Sequence, residues 1–136
     1  MVLVDTCVLV DVLQRDPVWA TWSLAQLRSQ ANLHTLGINP IIYAELSHSF
    51  NTLQEVDHAL DRLSLHFLEL PRPALFLAAR AQLEYRKRGG SKTRVLPDFF
   101  IGAHAAVQGW PLLTRDAARF KTYFPTLELL TPAGPQ

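Results

Sequence analysis

Several things are scarce or missing in this chain. There is a single cysteine, Cys7, which excludes an internal disulfide and a zinc–thiolate centre. Charge of either sign is sparse: 13 basic residues face 12 acidic ones, for a net charge of +1. No global field therefore favours nucleic acid, and any such attraction has to be local. No apolar run reaches the roughly 18 to 20 residues that span a bilayer. The N-terminus does not read as a signal peptide, because Asp5 and Asp11 interrupt its apolar stretch. The cytoplasm is the expected compartment.

Signature motifs are missing too. There is no GxxxxGK[ST] or GxGxxG phosphate turn, no GxSxG elbow and no HExxH pair. The five histidines (His34, His48, His58, His66, His104) show no paired ligand spacing. His104, on an Ala-rich helical stretch, reads as packed or capping rather than catalytic. Cys7 follows Asp5 closely, but no histidine is placed to activate it, so it reads as a buried thiol. What remains is a chain of 136 residues, 49% hydrophobic. That is globular, and long enough for one domain with a real core.

Hydrophobic patterning predicts alternating strands and helices. Val2–Val4 is a short apolar run suited to a buried parallel strand. Thr6 is expected to cap a helix to about Leu13, and Asp16-Pro17 to open the next. Leu33–Leu36 is a weaker strand, broken by Gly37, and Asn39-Pro40 opens a helix carrying Glu45. Thr52–Leu63 is amphipathic, Leu65–Leu70 a strand, and Ala74–Arg88 a long helix stopped by Gly89-Gly90. A basic loop leads into a helix from Pro97-Asp98 to Gly109. Leu112–Thr114 (strand), Asp116–Thr122 (helix) and Leu127–Leu130 (strand) follow. This order predicts a parallel α/β sheet with helices on both faces.

Four acids sit inside or at the ends of apolar runs: Asp5, Glu45, Asp98 and Asp116. Buried, unpaired carboxylates are costly, so their recurrence implies a positive partner. The economical partner is a hard divalent cation, Mg²⁺ or Mn²⁺, which takes carboxylate and water oxygens. Asp5 and Asp116 follow strands and Asp98 opens a helix, so all three are expected on the carboxyl-end rim of the sheet, where such folds bind ligands. Glu45 leans over the same rim. The chemistry this suggests is phosphodiester hydrolysis by a metal-activated water. Taken singly, each Asp has a plainer reading as a helix cap or turn residue. Asp11 is expected to be peripheral.

Basic residues cluster once, at Arg80, Arg86, Lys87, Arg88, Lys92 and Arg94, just before Asp98. Arg86, Lys87, Arg88, Lys92, Arg94 and Arg115 are the candidates for contacts to a nucleic-acid phosphate backbone, with Arg119 and Lys121 close to Asp116. A solvated helix end is the alternative for the cluster.

The segments Val4-Asp5-Thr6-Cys7, Ala44-Glu45-Leu46, Pro97-Asp98-Phe99-Phe100 and Leu113-Thr114-Arg115-Asp116, in this order, closely resemble the PIN domain, and more narrowly the VapC-type toxins of toxin–antitoxin pairs. The resemblance covers almost the whole chain. It implies an α/β/α sandwich around a short parallel sheet, one nuclease domain over residues 1–131 with a frayed tail at 132–136, and a Mg²⁺- or Mn²⁺-dependent endoribonuclease. Asp5 and Asp98 match the family's firmest metal ligands, Asp116 its third acid and Glu45 its helix-borne acid. Thr6 and Thr114 match positions that carry a supporting hydroxyl. The resemblance further implies a homodimer and a small VapB-type antitoxin. PIN domains also occur in RNA-processing and DNA nucleases, and a non-catalytic RNA- or protein-binding domain would use the same acids as caps.

Overall fold

Three consecutive apolar residues, Val2–Val4, form strand β1 with no exposure at all, as a strand covered on both faces must. In the computed structural model, which describes residues 1–132, β1 is the centre of a five-stranded sheet of order β3-β2-β1-β4-β5. The other strands are β2 (Leu36–Ile38), β3 (Leu65–Phe67), β4 (Leu112–Leu113) and β5 (Leu129–Leu130). All pairings are parallel; Leu3 lies opposite Gly37 on one side and Leu112 on the other.

Seven helices connect them. They are α1 (Thr6–Leu13), α2 (Ala20–Leu33), α3 (Pro40–Ser47), α4 (Leu53–Arg62), α5 (Arg72–Lys87), α6 (Pro97–Gln108) and α7 (Ala118–Tyr123). The chain moves outward from β1 to β2 to β3, then returns to β4 on the other side and continues to β5. Right-handed crossovers therefore put α1–α4 over one face and α5–α7 over the other. The packing agrees: α1 meets α2 and α3, while α5, α6 and α7 pack together. This is the expected three-layer α/β/α sandwich. Phe99 and Phe120, fully buried beside Leu112 and Leu113, fill the second layer.

The expected elements are present with adjusted bounds: the strand expected at Leu33–Leu36 forms at Leu36–Ile38 because α2 runs on through Leu33, and those expected at Leu65–Leu70 and Leu127–Leu130 shorten to Leu65–Phe67 and Leu129–Leu130. Asp5, not Thr6, caps α1: its Oδ1 accepts the Thr6 amide at 2.8 Å and Thr6 is already helical. Asp16 accepts the Val18 and Trp19 amides at 2.9 and 2.7 Å, but these hold a turn and regular helix begins at Ala20. α7 likewise starts at Ala118, two residues beyond Asp116. Gly37 does not break β2 but lies inside it, because a Cβ there would run into the side chains of Leu68 and Met1. Gly109 does end α6, in the left-handed conformation at φ 69°. Of the expected tail, positions 133–136 fall outside the described residues.

Asp11 is not peripheral. It is 2% exposed, and its carboxylate takes the Arg115 guanidinium through two bonds of 2.7 and 3.0 Å, with the Ser23 hydroxyl at 2.9 Å. The pair ties α1 and α2 to the loop after β4, and Trp19 covers the guanidinium at 5.5 Å. Replacing Asp11 with Asn should lower unfolding stability by about 1.5–3 kcal/mol, the usual worth of hydrogen bonds to a charged partner. Urea denaturation measures this, and unchanged stability would show the pair to be incidental.

Candidate active site

The sheet's connections leave β1 and β4 in opposite directions, so a crevice opens between their carboxyl ends. Asp5 is the residue after β1, and Asp116 lies three residues after the end of β4. Asp98 occupies the first turn of α6, and Glu45 projects from α3. A cavity of about 160 Å³ is lined by Asp5, Glu45, Asp98 and Asp116, together with Thr6, Cys7 and Phe120. The four acids singled out in the sequence thus line one cavity, although 39 or more positions separate Asp5 from each of the others.

Each acid is held differently. Asp5 is nearly buried, and its oxygens accept only from neutral donors: the Thr6 amide, the Thr114 hydroxyl at 2.8 Å and the Cys7 thiol at 3.5 Å. Burial pushes its carboxyl up to about 6, with the nearby Asp98 charge adding to the rise and the hydrogen bonds opposing it. Thr114 also accepts the Asp116 amide, at 3.1 Å, so one hydroxyl links the two strand-end acids. The Thr6 hydroxyl donates to Glu45 Oε1 at 2.7 Å and aims that carboxylate into the cavity. α3 itself is set by Asn39, whose Oδ1 caps the helix through the Ile41 and Ile42 amides at 3.0 Å. With that oxygen committed, the Asn39 amide nitrogen donates to His104 Nδ1 at 3.2 Å, joining the helix of Glu45 to the helix of Asp98. His104 is buried, which keeps it neutral.

Asp98 is raised by burial and by Asp116, and lowered by Arg119, whose Nη1 lies 3.3 Å away. Arg119 is the one cation that reaches the cavity's acids by an ion pair among the described residues. The Cys7 thiol is pushed up to about 11 by burial and then by Asp5, so it stays protonated and is no nucleophile.

The basic candidates divide in two. Arg115 is closed on Asp11, and Arg86 donates to the backbone carbonyls of Gly90, Ser91 and Lys92 at 3.0–3.3 Å, pinning the loop before α6. Arg88 pairs with Glu84 at 3.1 Å. Lys87, Lys92 and Arg94 are exposed. The structural work of Arg86 and Arg115 had no signal in their spacing. Nor had Tyr85 and Tyr123, which line a second cavity against Asp98 and Asp116.

The carboxylates surround the cavity without closing on one point. Among the described residues, no three Asp, Glu, His or Cys side chains stand at metal-holding distances. The donor set nevertheless fits a hard divalent cation. Its donors are all oxygen, and the most buried of them, Asp5, is raised by burial and has no cationic side chain bonded to it among the described residues. An ion that keeps several waters requires only a few direct carboxylates.

A family model described as PIN domain matches residues 2–124. No curated protein sequence matches the chain. Among solved structures, it resembles VapBC2 from Rickettsia felis bound to a promoter DNA fragment (TM-score 0.74, 21% identity, covering 98% of this chain and 100% of that one). It is also similar to VapBC-1 from nontypeable Haemophilus influenzae (0.72, 16%, 96% and 98%). DNA-bound VapBC from Salmonella typhimurium is a third (0.70, 18%, 96% and 96%). A family model spanning nearly the whole described chain, over a sheet that brings four acids to one crevice, identifies it: the chain belongs to the PIN domain family.

Proposed function

We propose that the protein is an endoribonuclease that hydrolyses RNA phosphodiester bonds with Mg²⁺ or Mn²⁺, and that it acts as the toxin of a toxin–antitoxin pair. The observation that carries the catalytic part is the single cavity shared by Asp5, Glu45, Asp98 and Asp116. Membership of the PIN domain family supports phosphodiester chemistry. The toxin role, a small VapB-type antitoxin as partner, and a homodimer are supported by the motif resemblance and by the VapBC complexes among the similar folds.

In this reading Asp5, Asp98 and Asp116 hold the ion, and Glu45 completes the set or orients a water. When bound, the ion supplies Lewis acidity to the attacking water and screens the phosphate. Thr6 and Thr114 fix the carboxylates they bond, so less side-chain freedom is lost on forming the complex. Glu45, held by one hydroxyl, keeps its second oxygen free to take a proton from water in the cavity. The exposed Lys87, Lys92 and Arg94, at the end of α5 and in the segment leading to α6, are the cations left for the RNA backbone.

Incubating the protein with total cellular RNA and Mg²⁺, then mapping the cut ends, tests the activity. Asp5→Asn and Asp98→Asn should each retain below about 1% of wild-type cleavage, since even residues behind metal ligands are worth about 10- to 100-fold. Calorimetry should show Mn²⁺ binding to the wild type and its loss in both variants. Full cleavage by either variant would remove these acids from the mechanism, and cleavage of DNA in preference to RNA would change the substrate class.

Stability gives an independent reading of the same site. Asp5 ionises near 3.8 in an unfolded chain and about 6 in the fold, so the metal-free fold binds its proton more tightly. Its contribution is neutral below the lower value, grows unfavourable as pH rises from the lower value to the upper one, and levels off above that at about 2–3 kcal/mol. In the presence of a chelator, Asp5→Asn should therefore be more stable than wild type at pH 8, with the difference closing by about pH 4. Thermal denaturation across this range measures it, and a variant less stable at pH 8 would mean that Asp5 is compensated in the fold.

A further inference from the structure

A second cavity, about 430 Å³, adjoins the acidic one and shares Asp98 and Asp116 with it. The rest of its wall is different in kind: Tyr85, Tyr123, Thr122, Ala118 and Arg119. Its size lies within the range of small-molecule sites. We propose that this cavity is a nucleobase subsite, which takes one unpaired base of the RNA strand next to the phosphate at the acids. The inference rests on reading those acids as a phosphodiesterase centre.

Three observations favour a base over a phosphate. The first is charge. The lining carries one guanidinium, Arg119, against two carboxylates, Asp98 and Asp116; Arg119 is already paired with Asp98 at 3.3 Å, and the Arg88 guanidinium 5.4 Å from the Tyr123 centroid is paired with Glu84. A phosphate would meet net negative charge there, whereas a neutral base would not. The second is shape. The rings of Tyr85 and Tyr123 meet at 68° with centroids 6.4 Å apart, forming two sides of a corner. The Arg119 guanidinium lies 6.0 Å from the Tyr85 centroid. A flat base entering this corner stacks along one ring and meets the other edge-on, and aromatic rings and arginine planes are the surfaces on which proteins stack unpaired bases. The corner is rigid, because Phe99 packs against both rings at 5.8 and 5.0 Å.

The third is hydrogen-bonding capacity. Thr122 Oγ1 donates to the Ala118 carbonyl at 3.0 Å, which leaves its lone pairs to accept from an exocyclic amino group. The Tyr85 hydroxyl accepts the Lys92 amide at 3.3 Å and retains its own proton to donate. The wall thus offers one acceptor and one donor beside stacking faces, which suits a base edge. Because the cavity abuts the acids, the base it selects would belong to a nucleotide flanking the cut, so its tyrosine and threonine wall would set sequence preference without taking part in bond breaking.

Two measurements on the whole chain test this. In the first, ring resonances of Tyr85 and Tyr123 are followed by NMR during titration with the four nucleoside 5′-monophosphates and with ribose 5-phosphate. At least one nucleotide should shift both rings saturably while ribose 5-phosphate does not, and Tyr123→Leu should bind that nucleotide about tenfold more weakly. In the second, a randomised single-stranded RNA pool is cleaved and the ends are read. The wild type should prefer a base at one position beside the cut, and Tyr123→Leu should lose that preference while still cutting. If Tyr123→Leu does not fold, Thr122→Val, changed at an exposed position, should alter the preferred base.

Equal binding of ribose 5-phosphate would overturn the proposal, as would cleavage whose flanking preference survives in the variant that folds. RNA cleavage with no nucleotide response at the tyrosines would remove the subsite and leave the catalytic reading intact. Nucleotide binding without any RNA cleavage would instead defeat the nuclease reading on which the substrate assignment rests.

Discussion

The carboxylate of Asp5 is buried just after the central strand, with no cationic side chain paired to it among the described residues, and much of the local architecture holds it there. It caps α1 through the Thr6 amide, so the first turn of that helix starts from this group. Thr114, 109 positions away in sequence but adjacent through the β1–β4 pairing, supplies the second bond. Neutral donors reduce the cost of a buried charge without cancelling it, which is why the group ionises so far above a free aspartate. A core designed only for stability would place an apolar or amide residue at that point. The cost makes sense at a site whose task requires concentrated negative charge.

The topology explains how acids so far apart in sequence arrive at one cavity. Reversal of the chain's direction after β3 is what splits the connections of β1 and β4, and a crevice at that split is open by construction. Asp5 and Asp116 follow the two strands that flank it. Asp98 and Glu45 come from helices on opposite faces, and the Asn39–His104 bond across the sheet edge fixes one relative to the other. The site is therefore braced by all three layers. A helix shift on either face would be felt at the acids.

What could be read from the chain, and what could not, separates along a physical line. Apolar runs such as Val2–Val4 and cap residues such as Asn39, Thr52 and Gly109 act locally, and the elements they mark are present. The order of strands and helices was enough for a parallel sandwich. Gly37 misled because its role is steric: nothing nearby in sequence announces that Leu68 and Met1 close over it. Asp11 and Arg115 misled for a similar reason. An aspartate on a helix and an arginine beside an acid both suggest solvent or substrate, and only the fold brings them together across 104 positions. The four acids were conspicuous because each stood in apolar surroundings, but the cavity's other wall, Tyr85 with Tyr123 and Arg119, was not: tyrosines at helix ends look like ordinary packing.

Charge is divided in a way that bears on how the site works. The chain's arginines near the rim are largely committed, Arg115 to Asp11, Arg86 to loop carbonyls, Arg88 to Glu84 and Arg119 to Asp98. Their role is to hold loops and screen acids, and the last of these pairs is half-exposed and easily exchanged. A polyanionic strand approaching this surface would meet a cavity whose own residues repel it. On the proposed reading, close approach of a phosphate would depend on a cation recruited by the acids, and such a cation would relieve the Asp5 penalty as it binds, coupling stability to the loading of the site. The repulsion that makes the acidic cavity unfavourable for a phosphate is the same one that would make it selective for a divalent ion, and the aromatic corner beside it is left for the part of a nucleotide that carries no charge.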